Sequence, residues 1–170
     1  HKRSDSRRVP SRSSNKAAGL VTGNLIARAL ECESRRVNAH SIAYRFQQGL
    51  DPALTPIVLL HGLSQQGDFW HPLIGALGPD YTVLTLDLRG HGDSRDLVHD
   101  YQISTIAQDV VELISQLGLA PACVVGHSWG AAVALHLSAQ LEQFIRSCVL
   151  LDGGAFTPDN ILALGWLTLD

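Results

Sequence analysis

The stretch VVGHSWGAAVALHLSAQ, residues 124–140, decides how this chain folds. An apolar run leads into Gly-His-Ser-Trp-Gly, and an alanine-rich helical pattern follows with no residues left for a loop. A strand that turns directly into a helix forces the apex residue into a strained backbone conformation, and small residues two positions before and after it let strand and helix approach. Gly126 and Gly130 occupy those positions, so this elbow (residues 126–130) predicts an outward-facing Ser128.

The surroundings of Ser128 suit a nucleophile. The N–H groups that a helix leaves unpaired at its N-terminus favour negative charge, and the Trp129 N–H would point at the oxyanion of a substrate under attack. His127 lies inside the elbow and is expected to face away from the nucleophile. Gly-x-Ser-x-Gly also occurs by chance in many chains, but its position between a predicted strand and a predicted helix supports the catalytic interpretation.

A second turn can complete the oxyanion site. TPIVLLHG, residues 55–62, is a short apolar run that ends in His61 and Gly62, which is typical of a strand buried on both faces. Gly62 permits a tight turn, after which the Leu63 N–H can face the same oxyanion as the Trp129 N–H. A plain strand-ending turn is the alternative, and the position of the motif ahead of the elbow favours the first interpretation.

The loop DLRGHGDS, residues 87–94, is dense in charge and glycine. Asp87 and His91 are conceivable partners of a catalytic serine. We expect instead a structural role for the loop, because glycine-rich polar loops hydrogen-bond their own backbone.

The order of the predicted elements indicates the fold class. Apolar runs that read as buried strands alternate with amphipathic helical segments, which predicts an α/β fold with a mostly parallel sheet and helices on both faces. Residues 36–47 alternate loosely and are expected to form one or two strands at a sheet edge. The predicted buried strands are 55–62, 81–90, 122–127 and 146–154, and the helices are 69–77, 104–119 and 129–141.

The N-terminal part of the chain differs from the rest. Residues 1–16 hold six basic residues and one acidic residue, are rich in serine, and are expected to be a disordered tail. Residues 17–35 have a weakly helical pattern and are expected to form a helical lead-in. Nucleic-acid binding is not expected, because no aromatic residues are interleaved with the basic ones. No apolar stretch is long enough for a membrane span. Three cysteines without paired spacing favour a reducing, cytoplasmic compartment.

Three motifs in register carry a family resemblance. His61-Gly62, the DLRGHGDS loop and the GHSWG elbow, in that order, resemble the N-terminal two-thirds of an α/β-hydrolase fold enzyme, in the branch that holds serine esterases and cofactor-free haloperoxidases. The resemblance implies Ser128 as nucleophile, Leu63 and Trp129 as backbone oxyanion donors, and no metal or organic cofactor. It also implies a partial hydrolase domain over 36–170, in which 155–170 begins a lid or cap.

The resemblance also implies a reaction. Relatives that hydrolyse epoxides and haloalkanes carry aspartate at the elbow, whereas this chain carries Ser128. The expected chemistry is hydrolysis of a small apolar carboxylic ester through an acyl-enzyme. A perhydrolase or haloperoxidase and a non-catalytic ligand-sensing or interaction protein remain alternatives. The residue Trp129 argues slightly against the haloperoxidase, since those relatives usually carry methionine there.

The family order of serine, acid and histidine is incomplete here. The single histidine after Ser128 is His136, which is too near in sequence and too helical to be the base. Asp152, at the end of a predicted strand, is the candidate acid. The chain also lacks methionine. We therefore expect an N-terminal fragment, truncated before the last strands, that is inactive without its histidine. The oligomeric state is left open.

Overall fold

A computed structural model describes residues 32–37, 40–95 and 100–153. The predicted tail over 1–16, most of the lead-in and the predicted cap over 155–170 lie outside these residues. The described strands are β1 (Cys32–Val37), β2 (His40–Gln47), β3 (Ile57–Leu60), β4 (Val83–Leu86), β5 (Ala122–His127) and β6 (Ile145–Leu151), and the α-helices are α1 (His71–Leu77), α2 (Ile103–Gln116) and α3 (Trp129–Gln140).

The six described strands form one sheet in the order β1-β2-β4-β3-β5-β6. The pairs β4–β3, β3–β5 and β5–β6 are parallel, whereas β1–β2 and β2–β4 are antiparallel. The predicted α/β class with a mostly parallel sheet is therefore confirmed. Parallel neighbours require crossover connections, and α1, α2 and α3 lie in those connections. The carboxyl ends of β3, β4, β5 and β6 consequently meet at one edge of the sheet.

Helices cover both faces of the sheet. On one face α2 and α3 bury an apolar cluster that includes Val110, Leu113 and Val133 against Val58 and Val124. On the other face a 3₁₀ turn (Gly67–Trp70) and α1 pack the side chains of Trp70 and Ile74 against Leu59, Val83 and Val125. The strands β3 and β5 are thus covered on both sides, which explains their continuous apolar sequences.

The observed start of β1 differs from the boundary that the sequence predicted for the helical lead-in. β1 begins at Cys32, so residues 32–35 of the expected helical lead-in form a strand instead. Its sequence CESRRV has little apolar alternation, and the strand exists because it pairs antiparallel with β2 along its whole length. The Tyr44 hydroxyl also donates to Glu33 across the pair, at 2.8 Å. Tertiary pairing therefore outweighs a weak local preference.

A buried ion pair fixes the loop that follows β4. The Arg89 guanidinium donates to both carboxylate oxygens of Asp109 on α2, at 2.8 and 2.9 Å. Both side chains are almost fully buried, and this hydrogen-bonded carboxylate raises the pKa of Arg89 above its ordinary value. Because the pair is bidentate, it holds the loop against α2 in one orientation.

The strand β6 differs from the other parallel strands in its exposure. Val149, Leu150 and Leu151 are about two-fifths exposed, and among the described residues β6 pairs with β5 alone. None of the described helices is long and apolar enough to cross a bilayer.

Candidate active site

Ser128 lies at the turn between β5 and α3 in a conformation that few L-residues adopt. Its φ is 51° and its ψ is −111°. The Ser128 N–H donates to the Leu151 carbonyl at 3.0 Å, and its own carbonyl accepts from the N–H groups of Ala131 and Ala132 at 3.0 and 3.3 Å. Bonds to β6 on one side and α3 on the other therefore hold the residue in place. A conformation of this kind costs about 1–3 kcal/mol and persists only where the surroundings impose it.

The two elbow glycines allow three segments to touch. A Cβ on Gly126 would lie 2.3 Å from the Gly130 carbonyl oxygen, and a Cβ on Gly130 would lie 2.2 Å from the Leu60 carbonyl oxygen. Neither distance is compatible with a side chain. The start of α3 thus packs directly on the backbone of β5 and of β3, which brings the residues after β3 beside Ser128.

The residues after β3 (residues 61–65) lie next to Ser128, and we call them the oxyanion loop after the role that the sequence predicts for them. A Cβ on Gly62 would lie 3.4 Å from the Ser128 Cβ, so a side chain at Gly62 would contact the serine. Within the described part of the chain, the N–H groups of Leu63 and Trp129 donate to no other group. Leu63 follows Gly62 and Trp129 follows Ser128 in the chain, so two backbone N–H groups that are free to donate belong to the residues around the serine.

His61 holds one of these donors in place. Its ring is fully buried, its Nδ1 lies 2.8 Å from the Gly62 carbonyl, and its Nε2 lies 2.9 Å from the Leu88 N–H. Since the Leu88 N–H can only donate, Nε2 accepts and Nδ1 carries the proton. Nδ1 therefore donates to the carbonyl of the peptide whose N–H belongs to Leu63. Burial lowers the pKa of His61 from 6.5 to about 4.

The lowered pKa of His61 predicts a loss of stability in acid. The unfolded chain takes up a proton near pH 6.5, whereas the folded chain resists protonation until about pH 4. The stabilisation is therefore complete above pH 6.5 and falls by about 3 kcal/mol as the pH drops to 4. Urea unfolding of the wild type and of His61→Asn at several pH values measures this effect. We expect the difference in unfolding free energy between the two proteins to shrink toward pH 4, and a constant difference would contradict it.

Gln65 and Phe69 join His127 to form one side of the site, and sequence reasoning missed Gln65. The Gln65 Oε1 lies 3.0 Å from His127 Nδ1 and accepts the Gly62 N–H at 3.0 Å. The Phe69 ring stacks on the His127 ring, with centroids 5.0 Å apart. His127 thus makes its contacts with the oxyanion loop and Phe69, and no hydrogen bond to the Ser128 hydroxyl is present among the described residues.

Asp87 and His91 are committed to other groups. The Asp87 carboxylate is fully buried and accepts the N–H groups of Gly67 at 2.7 Å and Asp93 at 2.9 Å, besides an Arg45 nitrogen at 3.2 Å. The ring nitrogens of His91 face the carbonyls of Leu63 and Arg89. These contacts agree with the expected structural role of the loop.

The remaining predicted residues lie at the same edge or on α3. Asp152 directly follows β6, is exposed and has a φ of 47°. Gly153 packs on the first turn of α3, since a Cβ there would lie 2.3 Å from the Ala131 Cβ. His136 is two helical turns beyond Ser128, about 12 Å along the axis of α3. Among the described residues no histidine bonds to Ser128, and no group of three metal-ligating side chains is present.

A family model described as alpha/beta hydrolase fold matches residues 55–168. A soluble epoxide hydrolase of Corynebacterium sp. (strain C12) is 39% identical over 97 residues, which cover 57% of this chain and 34% of that protein. The (E)-2-((N-methylformamido)methylene)succinate hydrolase of Acinetobacter baylyi is 30% identical over 129 residues, which cover 76% of this chain and 46% of that protein.

A solved structure agrees with these sequence matches. The crystal structure of an alpha/beta hydrolase from Novosphingobium aromaticivorans has a TM-score of 0.69 and 27% identity, covering 81% of this chain and 50% of that one. The chain spans a third to a half of the length of the curated relatives it matches.

Proposed function

Because the chain belongs to the α/β-hydrolase fold family, and its relatives are hydrolases, we propose that it carries the nucleophile and oxyanion site of a serine hydrolase that cleaves carboxylic esters. The observation that supports this most is the strained Ser128 at the elbow, with two unused backbone N–H groups beside it. Strain at a single non-glycine residue is kept where function needs the resulting side-chain direction.

In the proposed reaction the Ser128 Oγ attacks the ester carbonyl carbon and gives its proton to a base. The carbonyl oxygen becomes an oxyanion that accepts hydrogen bonds from the N–H groups of Leu63 and Trp129. The intermediate collapses with loss of the alcohol, which takes the proton from the base, and leaves an acyl ester on Ser128. Water then attacks the acyl carbon, releases the carboxylic acid and returns the proton to Ser128.

The base and its acid partner complete the proposal. None of the described histidines is bonded to Ser128, so we assign the base to a residue of the full-length gene product that is not among the described ones. Asp152 is proposed as the acid that orients this base, because it directly follows the strand next to β5 and is exposed at the same edge. Asp152→Asn should then lower kcat by about 10⁴-fold. A variant with wild-type kcat would assign the acid elsewhere.

Epoxide hydrolysis is the second candidate, favoured by the 39% identity to a soluble epoxide hydrolase. The elbow residue argues against it on chemical grounds. A carboxylate that opens an epoxide forms an ester, which water can hydrolyse. A serine that opened an epoxide would form an ether, which water does not hydrolyse under mild conditions. Ser128 is therefore suited to an acyl substrate.

One side chain supports an apolar substrate. Trp70 and Trp129 are 3% and 8% exposed and belong to the core, whereas Phe69 is 41% exposed and stacks on His127 beside the nucleophile. An exposed aromatic ring at this position offers an apolar surface to the acyl or alcohol part of a small ester.

The choice between ester and epoxide is tested on the full-length gene product that contains these residues. We expect p-nitrophenyl butyrate to be hydrolysed and the peptide that contains Ser128 to gain a butyryl group in quenched samples analysed by mass spectrometry. Styrene oxide is the competing substrate, and we expect no diol. Diol formation without acylation of Ser128 would overturn the proposal.

A further inference from the structure

We propose that Gln65 is a positioning residue that sets the distance between the two oxyanion donors, and this inference rests on the proposed ester hydrolysis. Its side chain joins the loop that carries the Leu63 N–H to the elbow that carries the Trp129 N–H. The two segments are far apart in sequence, and His127 is 62 residues from Gln65. The amide oxygen of Gln65 bonds to both.

The orientation of the Gln65 amide follows from its partners. The Gly62 N–H can only donate, so the atom 3.0 Å from it is the oxygen Oε1. The same oxygen lies 3.0 Å from His127 Nδ1, which therefore carries a proton and donates. One oxygen thus accepts two hydrogen bonds, one from the oxyanion loop and one from the residue that precedes the nucleophile.

The peptide that presents the Leu63 N–H is held from both directions. Its carbonyl, that of Gly62, accepts from His61 Nδ1 at 2.8 Å and from the Gln65 N–H at 3.1 Å. The preceding peptide is held by the bond from the Gly62 N–H to the Gln65 side chain. Backbone and side chain of Gln65 therefore clamp Gly62 on both sides. The hydrogen bond between the Gln65 side chain and His127 then fixes the position of Gly62 relative to the elbow.

The fit at Gly62 leaves little tolerance. A Cβ there would lie 3.0 Å from Gln65 Oε1, 3.1 Å from His127 Nδ1 and 3.4 Å from the Ser128 Cβ. Oxyanion donors act only when they lie within a few tenths of an ångström of their best positions. The loss of the Gln65 oxygen lets the loop retreat from the elbow, and a shift of 1 Å at such a site typically costs about 100-fold in rate.

The test compares Gln65→Met with Gln66→Met in the full-length gene product. Methionine has similar length and no strong acceptor, and Gln66 is an exposed neighbour that provides a matched control. For Gln65→Met we expect kcat for p-nitrophenyl butyrate to fall 10- to 100-fold with KM within about twofold. The affinity for a trifluoromethyl ketone, which forms an oxyanion on serine, should fall by a similar factor. The affinity for an uncharged amide analogue should not change, and Gln66→Met should match the wild type.

A purely structural role gives a different result. In that case the melting temperature of Gln65→Met would fall, and so would the fraction of active sites that can be titrated, whereas kcat per active site would stay normal. That result would show the proposal to be wrong.

If Gln65→Met does not fold, His127→Phe replaces it, because phenylalanine keeps a ring that stacks on Phe69 and removes the Nδ1 donor. We expect the same loss of kcat from that variant, and unchanged kcat would overturn the proposal. If the wild type shows no Ser128-dependent ester turnover, the proposed function itself fails. Normal turnover in Gln65→Met refutes the Gln65 proposal alone.

Discussion

Ser128→Ala should reduce ester turnover by the full-length gene product by about 10⁴-fold or more, because it removes the hydroxyl that we propose as the nucleophile beside the Leu63 and Trp129 N–H groups. The residual rate should exceed that in buffer, since substrate binding and the oxyanion donors persist without the hydroxyl. The kinetics of p-nitrophenyl butyrate hydrolysis measure both quantities, and acylation of the peptide should disappear. A variant that retains more than about a tenth of the wild-type kcat would show that Ser128 is not the nucleophile.

Ser128→Gly is the matched control, because it separates chemistry from folding. Its activity should be lost in the same way. Its free energy of unfolding should rise by about 1 kcal/mol, since glycine adopts a φ of 51° and a ψ of −111° without the strain that serine bears. Thermal unfolding measures this difference. A glycine variant less stable than the wild type would show that the elbow conformation is not strained.

Gly130→Ala should destabilise the fold by about 4 kcal/mol or more, at the exceptional end of the range for single substitutions. The added Cβ would lie 2.2 Å from the Leu60 carbonyl oxygen and 2.7 Å from that of His61. Both are backbone atoms of β3 and the oxyanion loop, which cannot swing aside as a flexible side chain can. The helix α3 would have to move away from β3 by on the order of 1 Å, and packed interiors resist such overpacking. Urea unfolding and the yield of folded protein measure the effect.

Gly78→Ala is the control for Gly130→Ala. Gly78 has a φ of 76°, and apart from its neighbours in the chain none of the described residues lies within 4 Å of a Cβ built on it. Its ψ is −170°, a combination that is almost restricted to glycine, so that substitution should cost only backbone strain, about 1–3 kcal/mol. Equal losses in the two variants would mean that close approach at Gly130 is not what the elbow requires.

The residues behind these expected effects differ in how far their roles could be predicted from the sequence. The spacing of Gly126, Ser128 and Gly130 is local, and the steric reason for it holds wherever a strand turns directly into a helix. The elbow was therefore predictable from five residues. The position of Gly130 against Leu60 was not, because it depends on β3 and β5 being neighbours in the sheet.

The role of His61 illustrates the same limit. The sequence predicted only that His61 lies at the end of a strand and that its neighbour Gly62 permits the turn. The depressed pKa arises from burial, and the second bond of its ring goes to the Leu88 N–H, 27 residues away. Likewise Asp87 could be assigned to a structural loop by composition, but its bond to the Gly67 N–H requires the packing of β4 beside the 3₁₀ turn.

The sequence by itself determined the α/β class, the order of the motifs and the place of Ser128 at a turn from strand to helix, because apolar periodicity and glycine spacing act over a few neighbouring residues. Only the tertiary structure decided which side chains meet at the carboxyl edge of the sheet. The bond between Gln65 and His127, the exposure of Phe69 and the burial of His61 all depend on strand order and register. Those contacts join residues from separate crossover units, and a hydrogen bond across such a distance leaves no pattern in either segment alone.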